Sequence, residues 1–262
     1  MTPRQNRAKG GASPAERRAA PTPAEIARAA VARLKAEADP ERAVQSQRYF
    51  KETISSYGWP ADDLRALAEE LFGQVKTAWQ LKDALDLCEI LLPNAYIEAK
   101  SVATLILLRY RREFGRPLFS RVKTWLARDY CDNWASVDVL CPDALGPLLE
   151  KHADLLPKIR TWAVHPNRWV KRASAVSFVK LARRGKCLDA AYAIAGRLLP
   201  VDDDLIEKAN GWLLREAGKT DMPRLERFLL QKGSRIPRTT LRYAIERFPE
   251  GRRRALMEKT RR

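Results

Sequence analysis

Pro60-Ala-Asp-Asp-Leu-Arg-Ala-Leu-Ala-Glu-Glu-Leu-Phe-Gly-Gln-Val75 puts Leu64, Leu67, Ala68, Leu71, Phe72 and Val75 on one stripe, with Asp62, Arg65, Glu69 and Glu70 opposite. That is the 3.6-residue period of a helix with one buried face. Pro60 suits a helix start, where no needed N–H is lost, and Asp62 and Asp63 suit its positive end. Working outward, similar stripes cover 24–38, 42–56, 77–92, 94–113, 116–129, 142–153, 154–164, 168–184, 188–198, 203–217, 221–231, 236–247 and 249–260. Prolines and glycines, among them Pro93, Gly115, Pro142, Pro166, Gly185, Pro200, Gly218 and Pro237, are read as falling between stripes. No alternating strand of five residues bounded by turns is found. The expectation is an all-α chain, either a globular bundle or a stack of helix pairs recurring at about 35 to 40 residues.

The 262 residues suffice for one large or two small domains. Lys and Arg number 49 against 32 Asp and Glu, a net charge of +17, so the surface attracts polyanions whatever the fold. Residues 1–22 hold Arg4, Arg7, Lys9, Arg17 and Arg18 against Glu16 alone, and read as a disordered basic tail before a domain spanning 23–262. No apolar run reaches the ~20 residues needed to cross a bilayer. Cys88, Cys131, Cys141 and Cys187 are scattered and form no CxxC pair, and His152 and His165 are the only histidines. No metal site is therefore expected, and buried, reduced thiols in a cytoplasm-like compartment are. The chain has no GxxxxGK[ST], GxGxxG, GxSxG or HExxH pattern.

Two regions can carry chemistry. In Tyr130-Cys-Asp-Asn-Trp-Ala-Ser-Val-Asp138, Trp134 and Asp138 are four residues apart and share a helix face. Asp132 or Asn133 can cap that helix, leaving Asp138 inside it, where aspartate has poor propensity. Core packing for Trp134 and simple exposure for Asp138 are the structural alternatives. Close behind, Leu155 to Leu188 contains no acid but nine Lys and Arg: Lys158, Arg160, Arg168, Lys171, Arg172, Lys180, Arg183, Arg184 and Lys186. A solvated charged face is the ordinary reading of such a run. Charged faces usually mix signs, however, whereas a phosphate-binding face excludes negative charge. Pro166 and Asn167 are expected to end one helix and cap the next. Gly211, inside a helix at a cost of about 1 kcal/mol, points to close approach by another backbone or a ligand.

Cys131-Asp-Asn-Trp-Ala-Ser-Val-Asp138, Asn167-Arg-Trp-Val-Lys-Arg-Ala173 and Lys208-Ala-Asn-Gly-Trp-Leu-Leu-Arg-Glu216 together resemble the AlkD-like DNA glycosylases, the DNA alkylation repair family of HEAT-like repeats. Tyr57-Gly-Trp-Pro60 and Glu98-Ala-Lys-Ser-Val-Ala103 extend the likeness to residues 42–260. Ala135 and Ser136 depart from it, standing where other members often carry an acid or a larger residue.

The resemblance implies a curved solenoid of antiparallel helix pairs with a basic concave face. It implies that Asp138 is the catalytic carboxylate, that Trp134 and Trp212 contact the sugar of the damaged nucleotide, and that Arg172 lies beside the lesion. Arg168, Lys171, Lys180, Arg183, Arg184 and Arg215 are then the DNA-binding residues. The implied activity is removal of cationic N3- or N7-alkylpurines from double-stranded DNA without base flipping, in the base excision repair of a bacterial, nucleoid-associated cytoplasmic protein. No cofactor, no metal, no membrane and a monomer are expected. A non-catalytic helical-repeat protein binding DNA or branched nucleic acid by its backbone, or a protein–protein scaffold, are the competing readings.

Overall fold

The computed structural model describes residues 20–261, so most of the tail expected over residues 1–22 lies outside the described residues. Thr22 and Glu25 form a reciprocal capping box at the first helix, and the Trp79 indole donates to Pro21 O at 2.8 Å.

The described residues form sixteen α-helices and no strand, apart from an isolated bridge between Ser55 and Tyr96. In order they are α1 (Pro23–Ala36), α2 (Pro40–Gln47), α3 (Ala61–Val75), α4 (Leu81–Leu91), α5 (Ile97–Leu107) and α6 (Arg116–Ala127). Then come α7 (Trp134–Ala144), α8 (Gly146–Lys151), α9 (Leu156–Trp162), α10 (Arg168–Val176) and α11 (Val179–Arg183). The last five are α12 (Leu188–Leu198), α13 (Asp204–Gly218), α14 (Met222–Lys232), α15 (Arg238–Ala244) and α16 (Glu250–Lys259). One row runs α3–α5–α7–α10–α13–α15, each helix packing on the next, and α4, α6, α12 and α14 back it as a second layer. This stacking is that of a helical solenoid, in which each unit buries its apolar face against its neighbours.

The row's later members run parallel. Asp138 of α7 meets Arg172 of α10, and further on Asp143 of α7 meets Lys180 of α11. Glu207 and Gly211 of α13 face Thr240 and Tyr243 of α15 in the same order. These partners are separated by 31 to 38 residues in sequence, as in Arg168–Asp203, Arg183–Glu216, Arg116–Asp154 and Arg215–Glu246. The period read from the punctuation therefore reappears as the register of ion pairs between neighbouring units.

Three stripes differ from expectation. The 42–56 stripe is helical only to Gln47, because the Gln47 amide binds Phe50 O, Glu52 O and Ile54 N and folds the following residues into a turn. The 168–184 stripe breaks after Val176: the Ser174 and Ser177 hydroxyls bond back to Lys171 O and Ala173 O, and Phe178 N donates to Ala175 O, tightening the turn. Pro142 lies inside α7 rather than between helices. Having no N–H, it leaves the Asp138 carbonyl without its helical donor.

Gly211 has a packing cause. A Cβ there would sit 2.4 Å from Tyr243 Cβ and 2.8 Å from Thr240 O, so the close approach is that of α15, not of a ligand. Gly211→Ala is expected to destabilise by about 1–3 kcal/mol, lowering Tm by roughly 2–4 °C per kcal/mol. An unchanged Tm would mean α15 is free to shift.

Candidate functional site

The site is built around the start of α7. Asn133, almost fully buried, caps the helix by accepting from Ser136 N at 2.9 Å. The turn before it is pinned by the buried Lys100, whose ammonium donates to Leu92 O at 3.0 Å and Tyr130 O at 2.8 Å and pairs with Asp132 at 3.2 Å. Asn167 ties in the next unit: its Oδ1 caps α10 through Trp169 N and Val170 N, and its Nδ2 donates to Asp129 at 2.8 Å. Both expected caps are present, and both starts are fixed by local hydrogen bonds.

Within this frame Asp138 faces Arg172. Arg172 Nε and Nη2 donate to the two carboxylate oxygens at 2.9 and 2.7 Å, the planar bidentate geometry that only arginine supplies. Arg172 Nη1 donates to Leu205 O at 2.5 Å, tying α7, α10 and α13 together. The Arg172 side chain is 6% exposed and that of Asp138 15%, so water reaches the carboxylate but scarcely the guanidinium. Burial pushes the Asp138 carboxyl above its ordinary value, and the Arg172 hydrogen bonds and charge pull against the rise. With these donors engaged inside the protein, Arg172 orients Asp138.

Trp134 is half-buried, one turn before Asp138. Phe50 stacks on its ring at 5.1 Å and 23°, and its Nε1 donates to Tyr49 O at 3.3 Å. Segment 49–52 continues across the site: Lys51 pairs with Asp204 at 2.8 Å and Glu52 with Arg168 at 2.5 Å. Asp204 also holds Lys208 at 2.9 Å, one turn before the half-buried Trp212. Trp212 makes no ring contact with Trp134 among the described residues; the two indoles are linked through segment 49–52 and α13.

The acid-free run does not make an acid-free surface. Arg168 is held by Glu52 and Asp203, Lys180 by Asp143, Arg183 by Glu216, Arg184 by Glu150, and Arg215 by Glu246 and Glu216. Of the six expected DNA-binding residues, only Lys171 has no ion pair among the described residues. The carboxylates come from neighbouring units, which a linear reading cannot place. Among the described residues no group of His, Cys, Asp and Glu is arranged to hold a metal, and no helix is long and apolar enough to cross a membrane. Cys88, Cys131 and Cys141 are buried free thiols, with Cys131 pushed up to about 12 by burial.

The profile of the DNA alkylation repair enzyme family matches residues 30–248, most of the chain. The chain belongs to this family. The fold is also that of a predicted DNA alkylation repair enzyme from Enterococcus faecalis, with a TM-score of 0.71 at 21% identity over 81% of this chain and 97% of that one. No curated protein matches.

For a DNA alkylation repair enzyme, the partner to place against this surface is DNA. Sequence reasoning missed Phe50, Lys51, Glu52, Asp203 and Asp204, all of which touch the candidate site or its supports. The one local signal was the adjacent aromatic pair Tyr49-Phe50.

Proposed function

We propose that the chain is a monofunctional DNA glycosylase that hydrolyses the N-glycosidic bond of N3- or N7-alkylpurines in duplex DNA, without base flipping. The observation that carries the reading is the partly exposed Asp138 carboxylate held in fixed orientation by buried Arg172, one turn from a half-exposed indole. A 3- or 7-alkylated purine is already cationic, so its departure needs no protonation, and the site needs no general acid. As the bond breaks, the sugar gains oxocarbenium character. The ionised Asp138 stabilises that cation and orients a water toward it, with Arg172 keeping the carboxylate aimed. The faces of Trp134 and Trp212 add attraction to the cationic sugar.

Phosphate contact falls to the exposed cations. The Lys180 and Arg184 side chains are 57% and 56% exposed and pair with carboxylates that are themselves 42% and 36% exposed. Such ion pairs are worth only about 0–1 kcal/mol, whereas Arg183 pairs with the buried Glu216. A backbone phosphate can therefore take over from the carboxylate at Lys180 and Arg184. Lys171 is ready without exchange, Arg168 and Arg215 are more deeply engaged, and Arg172 is unavailable.

The test is chromatographic detection of free base from a duplex carrying 7-methylguanine or 3-methyladenine. Release of base with the strand left intact is expected. Folded, DNA-bound protein that frees none excludes the reading in favour of a non-catalytic DNA-binding protein. Lys100, the buried amine nearest α7, is committed to two carbonyls and Asp132. No lysine Schiff base is therefore expected, and borohydride trapping of a covalent complex would contradict that.

A further inference from the structure

We propose that a cation-lined hollow beside α13, α15 and α16 is a second, lesion-independent site for the phosphodiester backbone of duplex DNA; the proposal rests on the DNA reading above. Two adjoining cavities of about 1040 and 770 Å³ share Arg238 and Arg261. Lys232 and Arg235 line the first, and Arg242 and Arg253 the second. None of these six cations is ion-paired among the described residues, whereas five of the six expected DNA-binding cations are. Carboxylates are present: Asp202 and Glu207 line the first cavity, Glu250 and Glu258 the second, with Glu250 paired to Arg254 at 3.6 Å. They are outnumbered, and they neutralise none of the six.

Arg238, at the junction, is fixed by neutral partners. It donates to Thr260 Oγ1 at 3.3 Å and Met257 O at 3.1 Å, which orient the guanidinium without cancelling its charge. The cations are spread over both cavities rather than converging on one point. That distribution suits an extended backbone better than a compact anion.

The location fits the same ligand. α10, α13 and α15 run parallel, and Arg172 bonds to Leu205 at the start of α13, so the hollow at the start of α15 lies on the edge that carries Asp138. Two helix spacings of 8–10 Å put Arg238 roughly 16–20 Å from Arg172. At 3.4 Å rise per base pair, that is about five or six base pairs from the lesion.

The test is the salt dependence of binding by full-length Arg242→Gln/Arg253→Gln. Neither side chain makes a hydrogen bond among the described residues, so the fold does not depend on them. On a duplex of about 24 base pairs, the slope of log K against log salt is expected to fall by about two units. On a duplex of about eight base pairs centred on the lesion, which does not reach the hollow, it is expected to match wild type. An unchanged slope on the long duplex, or equal loss on both, overturns the proposal. Base release measured alongside separates the two claims. Release with an unchanged slope removes this site alone, and a slope change without release removes the glycosylase reading alone.

Discussion

Arg172→Ala is expected to destabilise the protein by about 3–5 kcal/mol at neutral pH, because it strands an ionised carboxylate in a largely buried position. At 2–4 °C per kcal/mol, Tm falls by roughly 6–20 °C. The pH dependence has a definite sign. The folded Asp138 carboxyl already lies above its ordinary value, so its contribution to stability is lost as pH rises from that value through the folded one. Removing Arg172 removes the opposing pull and moves the folded value further up. The deficit of the variant against wild type is therefore expected to widen toward neutral pH and narrow in mildly acidic buffer. Thermal unfolding of both proteins across that range checks it, and a deficit that ignores pH would show that Arg172 matters for packing rather than for the carboxylate. Asp138→Asn in the same background should recover much of the loss, since the stranded charge is gone.

Asp138→Asn alone is expected to slow base release by about 10²–10³-fold, the usual cost of removing one preorganised charge-stabilising group. Affinity for undamaged duplex should not change, because the phosphate contacts lie on other residues. Single-turnover release at saturating protein, with a binding titration on the same preparation, separates chemistry from binding. Release at the wild-type rate would assign the reaction to another group.

What was legible in the sequence follows the range of the interactions. The caps at Asn133 and Asn167 were legible because a cap needs only the two or three residues after it. The 188–198 helix was read with its ends in place because Gly185 and Pro200 bound it. Gly211 was legible as a close approach, but not whose: Tyr243 lies 32 residues on, in another unit. Long-range placement explains the rest. Asp138 and Arg172 were each named for separate roles, yet their 34-residue separation is one unit of the stack, and that register makes them a single bidentate pair. The same register brings Asp143, Glu150, Asp203 and Glu216 onto the basic run, so a segment without acids became a surface of alternating charge. Segment 49–52 escaped because Gln47 breaks the helix through its side chain, against the apolar period that continues past it.

A site with a fixed carboxylate and no proton donor acts only on a base that leaves unaided. The deciding measurement compares two otherwise matched duplexes, one with cationic 7-methylguanine and one with its neutral 7-deaza isostere. Wild-type protein should bind both alike, free the charged base and leave the neutral one in place. Comparable release of the neutral base, or no release of the charged one by bound protein, would contradict the account.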